Sequence, residues 1–142
     1  MSSEETPEGV VSGDGYAVAM NLDALGEGFG FRKVRKDLGV TAFGVNAIVI
    51  PPQYETGFHF HDEQEELYFV HSGELEIEFG DGTVHRLEPG GMARVDPRVH
   101  RQVRNVGDTE AIYLCAGGRD GYVGRDGRLP DPDDPEGSPI GG

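Results

Sequence analysis

The segment FHFHDEQEELYFVHSGELEIEFGDG, residues 58–82, brings the metal-ligand residue types of the chain together. His59 and His61 stand two residues apart and are followed by Asp62, Glu63, Glu65 and Glu66. Two imidazoles and a carboxylate suit a borderline divalent ion, which needs ligands converging from one side. On an extended strand, residues two apart project from the same face, so His59 and His61 would point together while Phe58 and Phe60 take the opposite face. Glu66 follows at the start of the next apolar run, where a short loop could return it beside the histidine pair. His100 follows the turn Asp96-Pro97-Arg98-Val99, at the start of a further run, and is the fourth candidate ligand. A lone His-x-His is common surface decoration. The combination is more specific, because four ligand-type residues fall at strand starts.

The elements that must position these side chains are strands. Tyr16 to Leu22, Val45 to Ile50, Glu66 to Val70, Leu75 to Phe79, Val84 to Leu87, Met92 to Val95, Gln102 to Val106 and Ala111 to Cys115 are strand-length runs bounded by turn residues. In LEIEF the alternation is strict, with Leu75, Ile77 and Phe79 facing in and Glu76 and Glu78 facing out. Gly80-Asp81-Gly82 and Glu88-Pro89-Gly90-Gly91 read as turns. No long stretch has a 3.6-residue period, so the fold class is all-β, a sandwich or barrel. If Glu66 points inward, Tyr68 and Val70 do too, and Leu67 and Phe69 point out.

At 142 residues the chain predicts one domain. Residues 1–14 read as a flexible acidic N-terminus without a secretion signal, 15–123 as the folded barrel, and 124–142 as a Gly/Pro/Asp-rich tail, mobile or laid over the surface. A net charge of −14 argues against nucleic acid, and the absence of a long apolar run argues against a membrane span. The single cysteine, Cys115, cannot form an internal disulfide and fits a cytoplasmic location; at the end of an apolar strand it reads as a small buried hydrophobe. GEGFG, residues 26–30, lacks the strand–helix setting of a phosphate-binding loop.

The spacing resembles that of the cupins. Their first motif runs His-x-His, three or four residues, Glu, six residues, Gly; here it is His59, His61, Glu66 and Gly73, with Gln53 where the motif has a leading glycine. Their second motif runs Gly, five residues, Pro, x, Gly, two residues, His, three residues, Asn. Here Gly91 and Pro97 keep their spacing, the following elements are compressed, and Asn105 comes one residue late relative to His100. The resemblance, over residues 40 to 118, implies a double-stranded β-helix of jelly-roll type with one divalent transition metal inside (Fe, Mn, Ni, Zn or Cu) held by His59, His61, Glu66 and His100.

Around that site, Tyr68 is expected either to offer a phenol to a ligand or to be a core aromatic. Arg94, Arg98, Arg101 and Arg104 gather near His100, where one or two could hold a substrate carboxylate or phosphate or simply balance the acids. Tyr68, Arg94, Arg98, Gln102 and Arg104 are the substrate-pocket candidates. Asp62, Glu63 and Glu65 face solvent or orient a histidine, and His71 and His85 read as surface residues. The expected activity is a metal-dependent dioxygenase acting on a small organic molecule. The alternatives are a metal-dependent isomerase, epimerase or lyase, or a non-catalytic binding barrel. Pairing of Tyr16 to Leu22 and Phe31 to Val34 with a partner's sheet predicts a homodimer, as cupins commonly form.

Overall fold

The computed structural model describes residues 9–140. The first eight residues of the expected acidic N-terminus lie outside the described residues. The rest of that segment is not coil: β1 (Val10–Gly13) pairs antiparallel with β2 (Tyr16–Ala19). A 3-10 turn at Leu22–Leu25 leads to β3 (Gly30–Arg32) and a short helix, α1 (Val34–Leu38), which ends at Gly39 in the left-handed conformation.

Strands carry the remainder: β4 (Gly44–Ile50), β5 (Phe60–His61), β6 (Glu65–Ser72), β7 (Leu75–Phe79), β8 (Val84–Leu87), β9 (Met92–Val95), β10 (Arg101–Asn105) and β11 (Ala111–Gly118). One sheet has the order β3-β4-β11-β6-β9 and another β10-β7-β8. Single antiparallel bridges, Glu55 with Arg104 and His59 with Arg101, lay the segment before β5 along β10. This is the all-β jelly roll expected from the turn-punctuated sequence.

The two sheets bury Ile48, Ile50, Val70, Leu75, Ile77, Val95, Val103, Ala111 and Tyr113 between them. The alternation read in LEIEF holds for Leu75 and Ile77, while Glu76 and Glu78 pair on the outer face with Arg104. Gly73, the glycine of the first motif, has φ +78, and a Cβ there would meet the Ala111 side chain at 2.7 Å. Asn105 is a buried clamp: its amide Nδ2 donates toward the carbonyls of Ile50, Pro51 and Thr109, and its Oδ1 accepts from Gly107 N–H.

The segment expected to be a tail forms a hairpin. Strands β12 (Gly127–Asp131) and β13 (Asp134–Pro139) pair with each other, and β12 pairs with β5. Its composition offers little apolar surface, but backbone pairing to β5 satisfies its polar groups and the hairpin covers Phe60, which is 1% exposed. Among the described residues no helix is long and apolar enough to cross a membrane.

Candidate metal centre

Two strands, and the residue just before the first, deliver the site. His59 and His61 flank Phe60 on the approach to and within β5, and Glu66 stands near the start of β6. One donor atom from each lies within 4.8 Å of the others. The sequence expectation that these three converge matches this geometry. The rings of His59 and His61 meet edge to face with centroids 5.3 Å apart, as two side chains on the same strand face must. Phe60 lies on the opposite face.

His100 is not part of the cluster. Its ring stacks on Phe60 at 4.5 Å and lines a surface groove with Phe79, Gly80, Asp81 and Val99. The reason is strand parity. In β10 the buried residues are Arg101, Val103 and Asn105, so their even-numbered neighbours face outward. Counted back from Asn105, the histidine position of the second motif falls on Arg101, and Arg101 is what enters the barrel.

Arg101 has no exposed surface and is almost fully hydrogen-bonded. Its Nη2 donates to Glu66 Oε1 (3.1 Å), its Nε to Tyr68 Oη (3.3 Å), and its Nη1 to the carbonyls of Pro97 (3.1 Å) and Val99 (2.5 Å). Tyr68 Oη donates in turn to Glu66 Oε1 at 2.8 Å. Tyr68 is therefore both a core aromatic and a group that touches the site. Its neighbours follow the expected parity, with Val70 buried and Leu67 exposed.

The other pocket candidates do not reach the cluster. Arg94 is exposed and pairs with Glu65 and Asp96. Arg98 pairs with Asp62 and lies over the Phe60 ring. Gln102 donates to the Thr56 carbonyl, and Arg104 binds Glu76 and Glu78. Each follows the same outward parity or sits in a surface turn, and the three arginines pair with acids. His71 and His85 are exposed, as read from the sequence.

The group that sequence reasoning missed is Asp126. It is buried at the foot of the C-terminal hairpin, and its Oδ1 lies 2.8 Å from His61 Nδ1. Its carboxylate also accepts from the backbone N–H groups of Glu63 and Gln64 and from the Gln64 amide. Of the acids in the loop 62–65, expected to face solvent or orient a histidine, Glu63 and Glu65 are exposed, and the loop uses its backbone to hold an acid from elsewhere. Nothing in the Asp-rich composition of residues 120–134 singles out this aspartate.

The electrostatics follow from these contacts. Burial opposes charge on Glu66, but the His61 hydrogen bond and charge, the Arg101 charge and the Tyr68 hydroxyl outweigh it and bring its pKa down to about 2. Asp126 is likewise lowered to about 2, its burial offset by Gln64, the two backbone amides and His61. Burial would depress His61, yet the hydrogen bond and charge of Glu66 and the bond to Asp126 leave it raised. His59, which lacks such partners, is lowered by burial and by the Arg101 charge. Cys115 packs beside Tyr68 and Glu66, where burial and the Glu66 charge push its thiol far up, so it is inert as a nucleophile.

A family model for the cupin domain matches residues 47–117, half of the chain. The chain belongs to the cupin family. The match runs from β4 to β11 and so contains His59, His61, Glu66 and Arg101 but not Asp126. Among solved structures, a cupin protein from Bacteroides fragilis superposes with a TM-score of 0.58 at 24% identity, covering 66% of this cupin and 77% of that chain. A sugar phosphate isomerase of the cupin superfamily from Silicibacter pomeroyi is 29% identical, with a TM-score of 0.50, covering 75% of this cupin and 60% of that chain. An uncharacterized transporter from Rhodopirellula baltica is 28% identical over 117 residues; the match takes in 80% of this cupin and only 19% of that protein's length.

Proposed function

We propose that His59, His61 and Glu66 hold one divalent transition-metal ion, and that this cupin uses it on a small organic molecule in a dioxygen-dependent reaction. The observation that carries the reading is the convergence of two imidazoles and one carboxylate within 4.8 Å. That donor set, with positions left open, is the one found in non-haem Fe(II) oxygenases. The surroundings fit it as well. Asp126 Oδ1 faces His61 Nδ1 at 2.8 Å and would accept its hydrogen, so that Nε2, 3.2 Å from Glu66 Oε1, is the ligating nitrogen; this is the usual outer support of a ligating histidine.

When bound, the ion would supply a Lewis-acid centre with vacant positions for substrate and dioxygen. The chain's own groups orient and insulate it. Tyr68 and Arg101 fix Glu66 Oε1, and Val95, which pairs with Glu66 between β6 and β9, joins the site to the buried hydrophobic core. Anaerobic loading with Fe(II), followed by nitric oxide as a dioxygen surrogate, should give a ferrous–nitrosyl electron paramagnetic resonance signal. Failure of Fe, Mn, Ni, Zn and Cu alike to bind stoichiometrically would defeat the reading.

A second reading, isomerisation of a phosphorylated sugar, is supported by the 29% identity to the Silicibacter pomeroyi protein. There the ion would polarise a carbonyl or hydroxyl while a side chain moves the proton. Turnover without oxygen consumption distinguishes it from the first, and absence of turnover with any metal would favour a binding barrel.

We also propose a homodimer. The β1–β2 hairpin leaves Val11, Tyr16 and Val18 exposed, Met20 just after it is exposed too, and β3 is an edge strand bearing exposed Phe31. Light scattering at micromolar concentration should give twice the chain mass.

A further inference from the structure

Building on the three-ligand ion, we infer that this site takes up metal together with a small organic anion, and that Arg101 is the residue that makes the two bind as a pair. The argument is one of charge. Among the described residues, the buried ionised groups in contact with the cluster are Glu66, Asp126 and Arg101. The fourth buried charge, Arg32, donates to Gly28 in the loop before β3 and takes no part. Together the three carry one net negative charge. A divalent ion held by neutral imidazoles therefore leaves one positive charge in excess inside the barrel. With a neutral side chain at position 101, the same ion would be balanced.

Arg101 cannot escape this role. A guanidinium does not release its proton in a protein. Nor can it swing to solvent, because it has no exposed surface and is tied to Pro97, Val99, Tyr68 and Glu66. It also shares Glu66 Oε1 with any cation that site receives. An uncompensated charge in a low-dielectric interior is costly, so a bound anion repays it. Three protein donors leave room on a six-coordinate ion for an anion that chelates through oxygen. The ligand class is thus a small molecule with a carboxylate or phosphoryl group next to a further oxygen donor. Arg101 acts here through charge and positioning.

The test is Mn(II) binding by calorimetry in a non-coordinating buffer, alone and with oxalate, inorganic phosphate or the neutral chelator ethylene glycol. For the wild-type protein, oxalate or phosphate should tighten Mn(II) by about tenfold or more, within the usual range of site-to-site coupling. Tightening by oxalate alone assigns the carboxylate class, and by phosphate alone the phosphoryl class. Ethylene glycol should have no effect. In Arg101→Gln, Mn(II) alone should bind more tightly than to wild type, and the anion effect should shrink to about twofold or less. Arg101→Lys keeps the charge and should keep the coupling, with circular dichroism confirming the barrel in both variants. Equal tightening by ethylene glycol and oxalate in wild type overturns the inference without any variant. So does wild-type Mn(II) affinity indifferent to both anions, which leaves the three-ligand ion standing. No Mn(II) binding with or without anion removes that ion and the inference with it.

Discussion

His61 Nδ1 and Asp126 Oδ1 lie 2.8 Å apart although 65 residues separate them in sequence. The contact ties the cluster to the C-terminal hairpin, because Asp126 immediately precedes β12 and β12 pairs with the strand that carries His61. Asp126→Asn removes the carboxylate charge and one acceptor oxygen; with the remaining oxygen held by the Glu63 and Gln64 N–H groups, the amide nitrogen would face His61 Nδ1 and let the ring rotate or change tautomer. Metal affinity should fall about 10- to 100-fold while the barrel persists. Competition against a fluorescent chelator measures the affinity. An unchanged value would show that His61 is oriented by its strand alone.

The reassignment of position 100 yields a paired comparison. His61→Ala should abolish stoichiometric metal, whereas His100→Ala should leave metal content within about twofold of wild type. The His100 ring contributes only its stacking on Phe60, worth about 0.5–1.5 kcal/mol beyond the area it covers. Metal analysis and urea denaturation of both variants separate the two roles. Loss of metal in the His100 variant would put that imidazole back among the ligands.

Stability in the metal-free protein should depend on pH from both sides. Glu66 and Asp126 are ordinarily near 4.5 and 3.8 and fall to about 2 in the fold. Their stabilisation is therefore complete above the unfolded values and is lost as pH falls through them toward 2. By the conversion of pKa units to energy Glu66 is worth about 3 kcal/mol and Asp126 about 2 kcal/mol, and the two share His61, so they do not add. His61 is raised, so its contribution is present below the ordinary value of 6.5 and disappears as pH rises through the elevated one. Chelator-treated protein unfolded with urea across the acid and neutral range should show both limbs. A flat profile from about pH 3 to pH 9 would contradict this linkage. Metal affinity runs the other way, falling as pH drops, because a ligating His61 must first give up its proton.

Gly73 gives a test of the barrel itself. With φ +78 and the Ala111 side chain 2.7 Å from where a Cβ would stand, Gly73→Ala should cost about 2–4 kcal/mol from left-handed strain and overpacking combined. The midpoint of urea unfolding reads this directly. A loss below about 0.5 kcal/mol would mean that the β6–β7 turn adapts freely.

Much of this was legible in the sequence because period-2 patterning carries both strand position and side-chain parity. Leu75 and Ile77 could be placed inward from LEIEF alone, and fixing Glu66 inward fixed Tyr68 and Val70. Parity does not survive an irregular turn, and Asp96 to Val99 is one. The phase of β10 cannot be carried across it from β9, so the sequence reading placed His100 inward where the strand places Arg101, in phase with buried Val103 and Asn105. The hairpin at 127–139 was illegible for a different reason. Its strands are specified by backbone pairing to β5 and by shelter for Phe60, and neither leaves an apolar period in the chain.

The hairpin also bears on where the working unit stops. The cupin family model matches only as far as residue 117, within β11, yet the carboxylate behind His61 comes from beyond it. A shortened chain ending there would retain every strand of the jelly roll and both histidines, but Phe60 would meet solvent and His61 would lose its outer partner. The boundary of the fold and the boundary of the candidate site are therefore two different places in this sequence, and transplanting the barrel without its last strands would carry over the shape while leaving behind the carboxylate that faces His61.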